Sequence, residues 1–88
     1  MLHIFRYSQE KRQRLDLCLN AMTDEDSLIL IEDGAYLATQ ALAAKGAVFV
    51  LQQDLSARGL ENARHPHIIA IDDDEFVRLC VNDNSLTW

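Results

Sequence analysis

Four short runs of strand-favouring residues constrain the fold of this chain more than any other feature. They occupy residues 2–5, 27–31, 47–51 and 68–71, and the last three are apolar almost throughout. Continuous apolar runs are typical of strands that are covered on both faces, as in a parallel sheet between two layers of helices. The run at 27–31 is therefore expected to be a central strand.

Helical patterns lie between these runs. In the segment 9–22, apolar residues fall at i, i+3, i+4 and i+7, which predicts an amphipathic helix: Leu15, Cys18, Leu19 and Met22. The segment 35–44 carries helix formers and ends at Lys45-Gly46, so a second helix is expected there. Residues 72–74 are three aspartates that can cap a last helix, in which apolar residues again recur at helical spacing.

The alternation of strand and helix patterns predicts an α/β fold. We expect residues 1–88 to form one domain, a three-layer α/β/α sandwich with a mostly parallel, Rossmann-like sheet of about four or five strands. A short helical turn is expected at 55–58, and residues 85–88 are expected to add an edge strand. The sequence has no GxGxxG, Walker A or GxSxG motif, so it gives no support to dinucleotide binding, P-loop chemistry or serine hydrolysis.

The charge balance limits the classes of partner. The net charge of −6 disfavours a nucleic-acid-binding protein that works by neutralising phosphates, although basic residues cluster near the N-terminus: Arg6, Lys11, Arg12 and Arg14. No apolar run approaches the roughly 20 residues of a membrane span. The two cysteines form no CxxC motif and the chain begins without a signal-like segment, so a reduced, cytoplasmic protein is expected.

Polar residues gather where the predicted strands end, which is the edge at which open parallel sheets bind ligands. Arg6, Asp33, Gly34 and Arg58 are the candidate binding residues at this edge. One hypothesis that this arrangement leaves open is a homo-oligomeric α/β binding module that holds an anion near Arg6 and the helix N-termini.

No metal or other cofactor is predicted. Three aspartates at the strand ends are interpreted as helix caps rather than as cation ligands: Asp33, Asp54 and Asp73. His65 and His67 flank a proline and have no third cysteine or histidine close in sequence. His3 is expected to be a packed or hydrogen-bonded histidine.

Cys18 is the candidate nucleophile, because persulfide transfer uses a thiolate. Its position on the apolar stripe of a helix, away from the helix N-terminus, is more typical of a small core residue. Cys80 shares a stripe with Phe76 and Val77 and is interpreted as a core residue.

The order of several motifs resembles the TusB/DsrH family of small sulfur-relay subunits. These motifs are an initial Met-Leu-His, Ile31-Glu32-Asp33-Gly34, Asp54-Leu55-Ser56-Ala57-Arg58-Gly59-Leu60, Phe76-Val77-Arg78-Leu79 and a terminal Trp88. The resemblance implies a subunit that joins homologous TusC/TusD-like or DsrF/DsrE-like subunits in a cytoplasmic dimer of trimers. Such complexes relay persulfide sulfur, either toward 2-thiolation of the tRNA wobble uridine or during sulfur oxidation.

The resemblance also implies a limited chemical role for this chain. The main sulfur-carrying subunit of such complexes has its cysteine in the loop after the third strand, whereas residues 51–54 here contain none. A structural or accessory role is therefore expected. Members of the sulfur-oxidation branch carry a cysteine in the first helix, similar in place to Cys18, so persulfide carriage by Cys18 is the alternative.

Overall fold

A computed structural model describes all 88 residues and contains one five-stranded sheet. The strands are β1 (Leu2–Phe5), β2 (Ser27–Leu30), β3 (Ala47–Leu51), β4 (Ile69–Ile71) and β5 (Ser85–Thr87). Their order is β4-β3-β2-β1-β5, and every pairing is parallel. The α/β prediction is confirmed, β2 is the central strand, and the C-terminal segment adds an edge strand beside β1.

Three α-helices connect the strands: α1 (Arg12–Ala21), α2 (Gln52–Ala57) and α3 (Asp73–Asn82). Short 3₁₀ segments precede α1 at Gln9–Lys11 and follow α2 at Glu61–Ala63. The side chain of Asp72 accepts a 2.9 Å hydrogen bond from the Glu75 amide and caps α3, as expected. No helix is long and apolar enough to cross a membrane.

The prediction of an α-helix over 35–44 is wrong. A 3₁₀ helix occupies Glu32–Thr39, and the chain is extended at Gln40. Its buried residues fall in pairs three apart, Gly34 with Leu37 and Ala35 with Ala38, which suits three residues per turn. The helix-forming composition of this segment did not reveal that packing requirement. The short helix predicted at 55–58 instead begins directly after β3, at Gln52.

Helices cover both faces of the sheet, and hydrophobic contacts show which ones lie on each face. A core of 14 buried residues joins one face to α1, the Glu32–Thr39 segment and α2. A core of four buried residues on the other face packs against α3 alone. Right-handed crossovers explain this division, because the chain steps from β1 to β4 in one direction and α3 then returns over the opposite face to reach β5.

Candidate functional site at the carboxyl rim of the sheet

The five parallel strands all have their carboxyl ends on the same side of the sheet, which is here called the carboxyl rim. A tight turn after β2 lies at the centre of this rim. Glu32 begins this turn with φ 52°, a left-handed conformation that a non-glycine residue rarely adopts. Its backbone N–H donates a 2.7 Å hydrogen bond to Oδ2 of Asp54, in the first turn of α2. This hydrogen bond holds the strained turn against α2, the helix that follows β3.

Arg58 makes further hydrogen bonds between the turn after β2 and α2. Its Nη2 donates a 2.9 Å hydrogen bond to Oδ1 of Asp33, and its Nη1 donates to the Asp54 carbonyl at 3.1 Å. The guanidinium also lies 5.8 Å from the centre of the Tyr36 ring. The two central motifs behind the family resemblance, Glu-Asp-Gly and Asp-Leu-Ser-Ala-Arg, are therefore one interlocked structure.

Gly34 belongs to this structure for a steric reason. A Cβ atom at this position would lie 2.5 Å from the carbonyl oxygen of Phe5 at the end of β1. The turn after β2 can approach β1 this closely only because residue 34 has no side chain. Of the four candidate rim residues, the structure brings Asp33, Gly34 and Arg58 together.

The side chain of Arg6 belongs to a separate group at the β1 end of the rim. It lies 5.7 Å from the centre of the Tyr7 ring, which Arg14 and Lys11 also approach, at 5.0 and 5.9 Å. Hydrogen bonding from Arg6, together with the positive charges of Arg6, Arg14 and Lys11, lowers the pKa of the Tyr7 hydroxyl. This group, here called the Tyr7 cluster, can stabilise negative charge.

Cys18 lies inside the 14-residue core and has no exposed surface. Burial raises the pKa of its thiol from 9.0 to about 12, and no cation is among the causes of the shift. Arg14, the only cation near Cys18 in sequence, is directed at Tyr7 instead. Cys80 is partly exposed and packs against the four-residue core, and both cysteines are free thiols.

The acidic and histidine candidates for a metal site are dispersed. No group of three cysteine, histidine, aspartate or glutamate side chains could hold a metal ion. The rings of His65 and His67 lie 5.4 Å apart without a third ligand. The interpretation of the three strand-end aspartates as helix caps is wrong, because each lies within the first turn of its helix and none caps that helix through its side chain. Asp33 and Asp54 pair instead with Arg58, and Asp73 is exposed.

A buried polar network near the amino ends of β1 and β2 was not predicted from the sequence. His3, only 2% exposed, accepts a 3.0 Å hydrogen bond at Nδ1 from the indole of Trp88 and contacts Oδ2 of Asp26 through Nε2 at 3.1 Å. Because an indole N–H only donates, the proton of neutral His3 lies on Nε2 and is directed to Asp26. The Met1 amino group, then the Thr23 amide and His3, hold the pKa of Asp26 well below its usual range.

The expectation of a packed or hydrogen-bonded His3 is therefore confirmed. The network also joins the first and the last of the motifs that carry the family resemblance, Met-Leu-His and the terminal Trp88. His3 and Trp88 are 85 positions apart, and their rings stack with centres 6.0 Å apart. The indole thereby fixes β5 and the C-terminal residue against β1.

Comparisons with known proteins agree with the motif pattern. Residues 7–86 match the family described as DsrH like protein. The chain is 31% identical to Protein TusB of Pectobacterium parmentieri, over the full length of both. It is also 31% identical to Protein TusB of Salmonella arizonae, over 80% of this chain and 82% of that protein.

The fold has a solved counterpart in protein Tm0979 of Thermotoga maritima, whose structure was determined in solution. The TM-score is 0.77 over 94% of both chains, at 24% sequence identity. This likeness supports the fold, and the sequence matches confirm the resemblance on which the motif argument depended. The chain belongs to the DsrH-like protein family, together with the TusB proteins.

Proposed function

We propose that this chain is a structural or accessory subunit of a cytoplasmic sulfur-relay complex that delivers persulfide sulfur for 2-thiolation of the tRNA wobble uridine. Family membership supports the sulfur-relay part of the proposal. The single observation that carries the accessory role is the burial of Cys18, since a carrier cysteine must be accessible and must ionise.

Transfer of persulfide sulfur requires an acceptor thiolate to attack the outer sulfur of a donor persulfide. The S–S bond of the donor then breaks, the donor cysteine leaves as a thiolate, and the outer sulfur is carried by the acceptor as a new persulfide. Cys18, with a pKa of about 12 and no exposed surface, suits neither the attack nor the approach of a donor. Its contacts support a role in packing α1 onto the sheet.

The loop that follows β3 supports the same conclusion. The main carrier subunit of such complexes has its cysteine at this place, but here α2 begins at once with Gln52 and Gln53. Both glutamines are exposed and border a shallow hollow with Asp72 and Asp73. The site therefore offers amides and carboxylates rather than a nucleophile.

The thinly covered face of the sheet supports assembly with homologous TusC/TusD-like or DsrF/DsrE-like subunits, which we propose to occur as a dimer of trimers. Apolar side chains remain exposed on or beside α3: Ile69 at 51%, Val77 at 58% and Val81 at 77%. Exposed apolar surface of this kind marks protein interfaces. An accessory subunit needs such a surface more than it needs a reactive thiol.

The test is native mass spectrometry of the chain co-expressed with candidate sister subunits, with and without a persulfide donor. We expect assembly, with an increment of about 32 Da, the mass of one sulfur atom, on a sister subunit only. An increment on this chain that disappears in Cys18→Ser but persists in Cys80→Ser would instead establish the persulfide-carrier alternative. Failure to assemble would overturn the proposed function.

A further inference from the structure

The carboxyl rim is positively charged at its β1 end. Arg6, Lys11 and Arg14 of the Tyr7 cluster are all exposed, and none of them forms an ion pair within the chain. Arg12 beside them does pair, with Asp16. Five of the 8 basic residues form no ion pair, and three of the five lie together here, apart from Lys45 and Arg64.

The other end of the same rim is negatively charged. Asp73 and Asp74 follow β4 in the first turn of α3, are exposed, and form no ion pair. Three strand spacings, roughly 14 Å, separate the ends of β1 and β4. This distance exceeds the Debye length at physiological ionic strength, about 8 Å, so the two ends do not neutralise each other within one molecule.

Midway between these ends lies the pair formed by Tyr36 and Arg58. Tyr36 follows β2 and is 47% exposed, and Arg58 follows β3 and lies over its ring. Tyrosine and arginine are enriched at the centres of protein interfaces, where charged residues occupy the surrounding border. The rim thus has a central aromatic anchor with opposite charges on its two sides.

From this arrangement we infer that the carboxyl rim is a two-fold interface with a second copy of this chain. A two-fold axis through the Tyr36–Arg58 centre brings the positive end of each copy onto the negative end of the other. Asp73 and Asp74 of each copy then lie opposite the three cations of the partner's Tyr7 cluster, and the two Tyr36 rings meet near the axis. The net charge of −6 on each copy opposes approach only weakly, because charges beyond about 8 Å are screened.

Charge-reversal variants of the full chain test this interface by sedimentation velocity. Lys11→Glu/Arg14→Glu makes both ends of the rim acidic, and Asp73→Lys/Asp74→Lys makes both ends basic. We expect each variant alone to self-associate at least about tenfold more weakly than the unmodified chain, and an equimolar mixture of the two to recover association. Recovery requires two folded partners, so it also excludes misfolding as the cause of the loss.

Two further variants sharpen the result. Tyr36→Ser removes the central anchor and should weaken association at least about tenfold. Lys45→Glu changes an exposed charge before β3, at the opposite edge of the sheet, and should change association by less than about twofold. The inference is overturned if the unmodified chain is monomeric at about 1 mM, a concentration that detects millimolar affinity, or if both reversal variants associate as strongly as it does. Neither result would affect the sulfur-relay proposal, which is tested with sister subunits present.

Discussion

The two faces of the sheet differ in how completely they are covered, and β2 shows the difference within three residues. Leu28 and Leu30 point into the 14-residue core beneath α1 and α2, whereas Ile29 between them points into the four-residue core beneath α3. All three side chains have no exposed surface. No residue of α3 itself is buried, although α1 contributes three buried residues.

The difference supports the proposal that the α1 layer stabilises this small domain and that the α3 layer contacts partner subunits. The α1 face forms the larger core, with 14 buried residues against four on the α3 face. The α3 face has a single loosely packed helix, with Val77 and Val81 exposed at successive turns. A domain of this size has a small free energy of unfolding, and a partner that covered the α3 face would increase it, which supports the assembly proposed above.

Truncation of adjacent residues on β2 is the strongest test of this division. Leu28→Ala should cost about 4 kcal/mol, because the dense α1 side cannot collapse around the cavity, and Ile29→Ala about 2 to 3 kcal/mol, because α3 can move inward. Urea denaturation of both variants measures the difference. A larger loss from Ile29→Ala would contradict the view that α3 is the looser layer.

Gly34 tests how tightly the α1 layer approaches β1. Gly34→Ala places a Cβ 2.5 Å from a backbone oxygen that cannot move freely, so a loss of about 1 to 3 kcal/mol is expected. Gly59→Ala is the control, since Gly59 has φ +66° but open space around it. The control should lose only about 1 kcal/mol from backbone strain. Equal thermal shifts for the two variants would mean that the turn after β2 can retreat.

The two cysteines lie on opposite faces of the sheet, and burial of Cys18 makes the free energy of unfolding depend on pH. The Cys18 thiol has a folded-state pKa of about 12, raised from 9.0 by burial, so its stabilising effect is complete below pH 9. As the pH rises from there toward 12, the unfolded chain ionises while the folded chain does not, and stability falls. The slope from this thiol approaches about 1.4 kcal/mol per pH unit.

Urea titrations at several alkaline pH values measure this slope. Cys18→Ala should lose this part of the pH dependence, and Cys80→Ala should retain it. An unchanged slope in Cys18→Ala would show that the thiol is more accessible than its packing indicates, and would favour the persulfide-carrier alternative.

Strain at Glu32 yields a smaller effect of opposite sign. Glu32→Gly should stabilise the chain by about 0.5 kcal/mol, because glycine adopts φ 52° without the steric cost that other residues incur. Glu32→Ala keeps the left-handed conformation with a Cβ and should give no stabilisation. Thermal melts of both variants separate relief of strain from loss of the carboxylate.

The sequence predicted the features that depend on local patterns and missed those that depend on distant contacts. Continuous apolar runs identified β2 as central, and the aspartates at 72–74 were correctly expected to include a helix cap, which is Asp72. The 3₁₀ helix was missed because alanine-rich composition favours an α-helix when packing is ignored. The Arg58–Asp33 and Trp88–His3 contacts join residues 25 and 85 positions apart, and no local pattern records such a pairing.

The smallest effect on the stability of the isolated chain is expected at Val81, the most exposed large apolar residue. Val81→Ser removes apolar surface that already contacts water, so the free energy of unfolding should change by less than about 0.5 kcal/mol. Leu17→Ser is the matched control, because Leu17 is 63% exposed on α1, over the opposite face. If the α3 face is completed by sister subunits, Val81→Ser weakens co-purification with them and Leu17→Ser does not. Equal losses from both variants would mean that the partner does not distinguish the faces, and the division between a stabilising layer and an assembly layer would then be wrong.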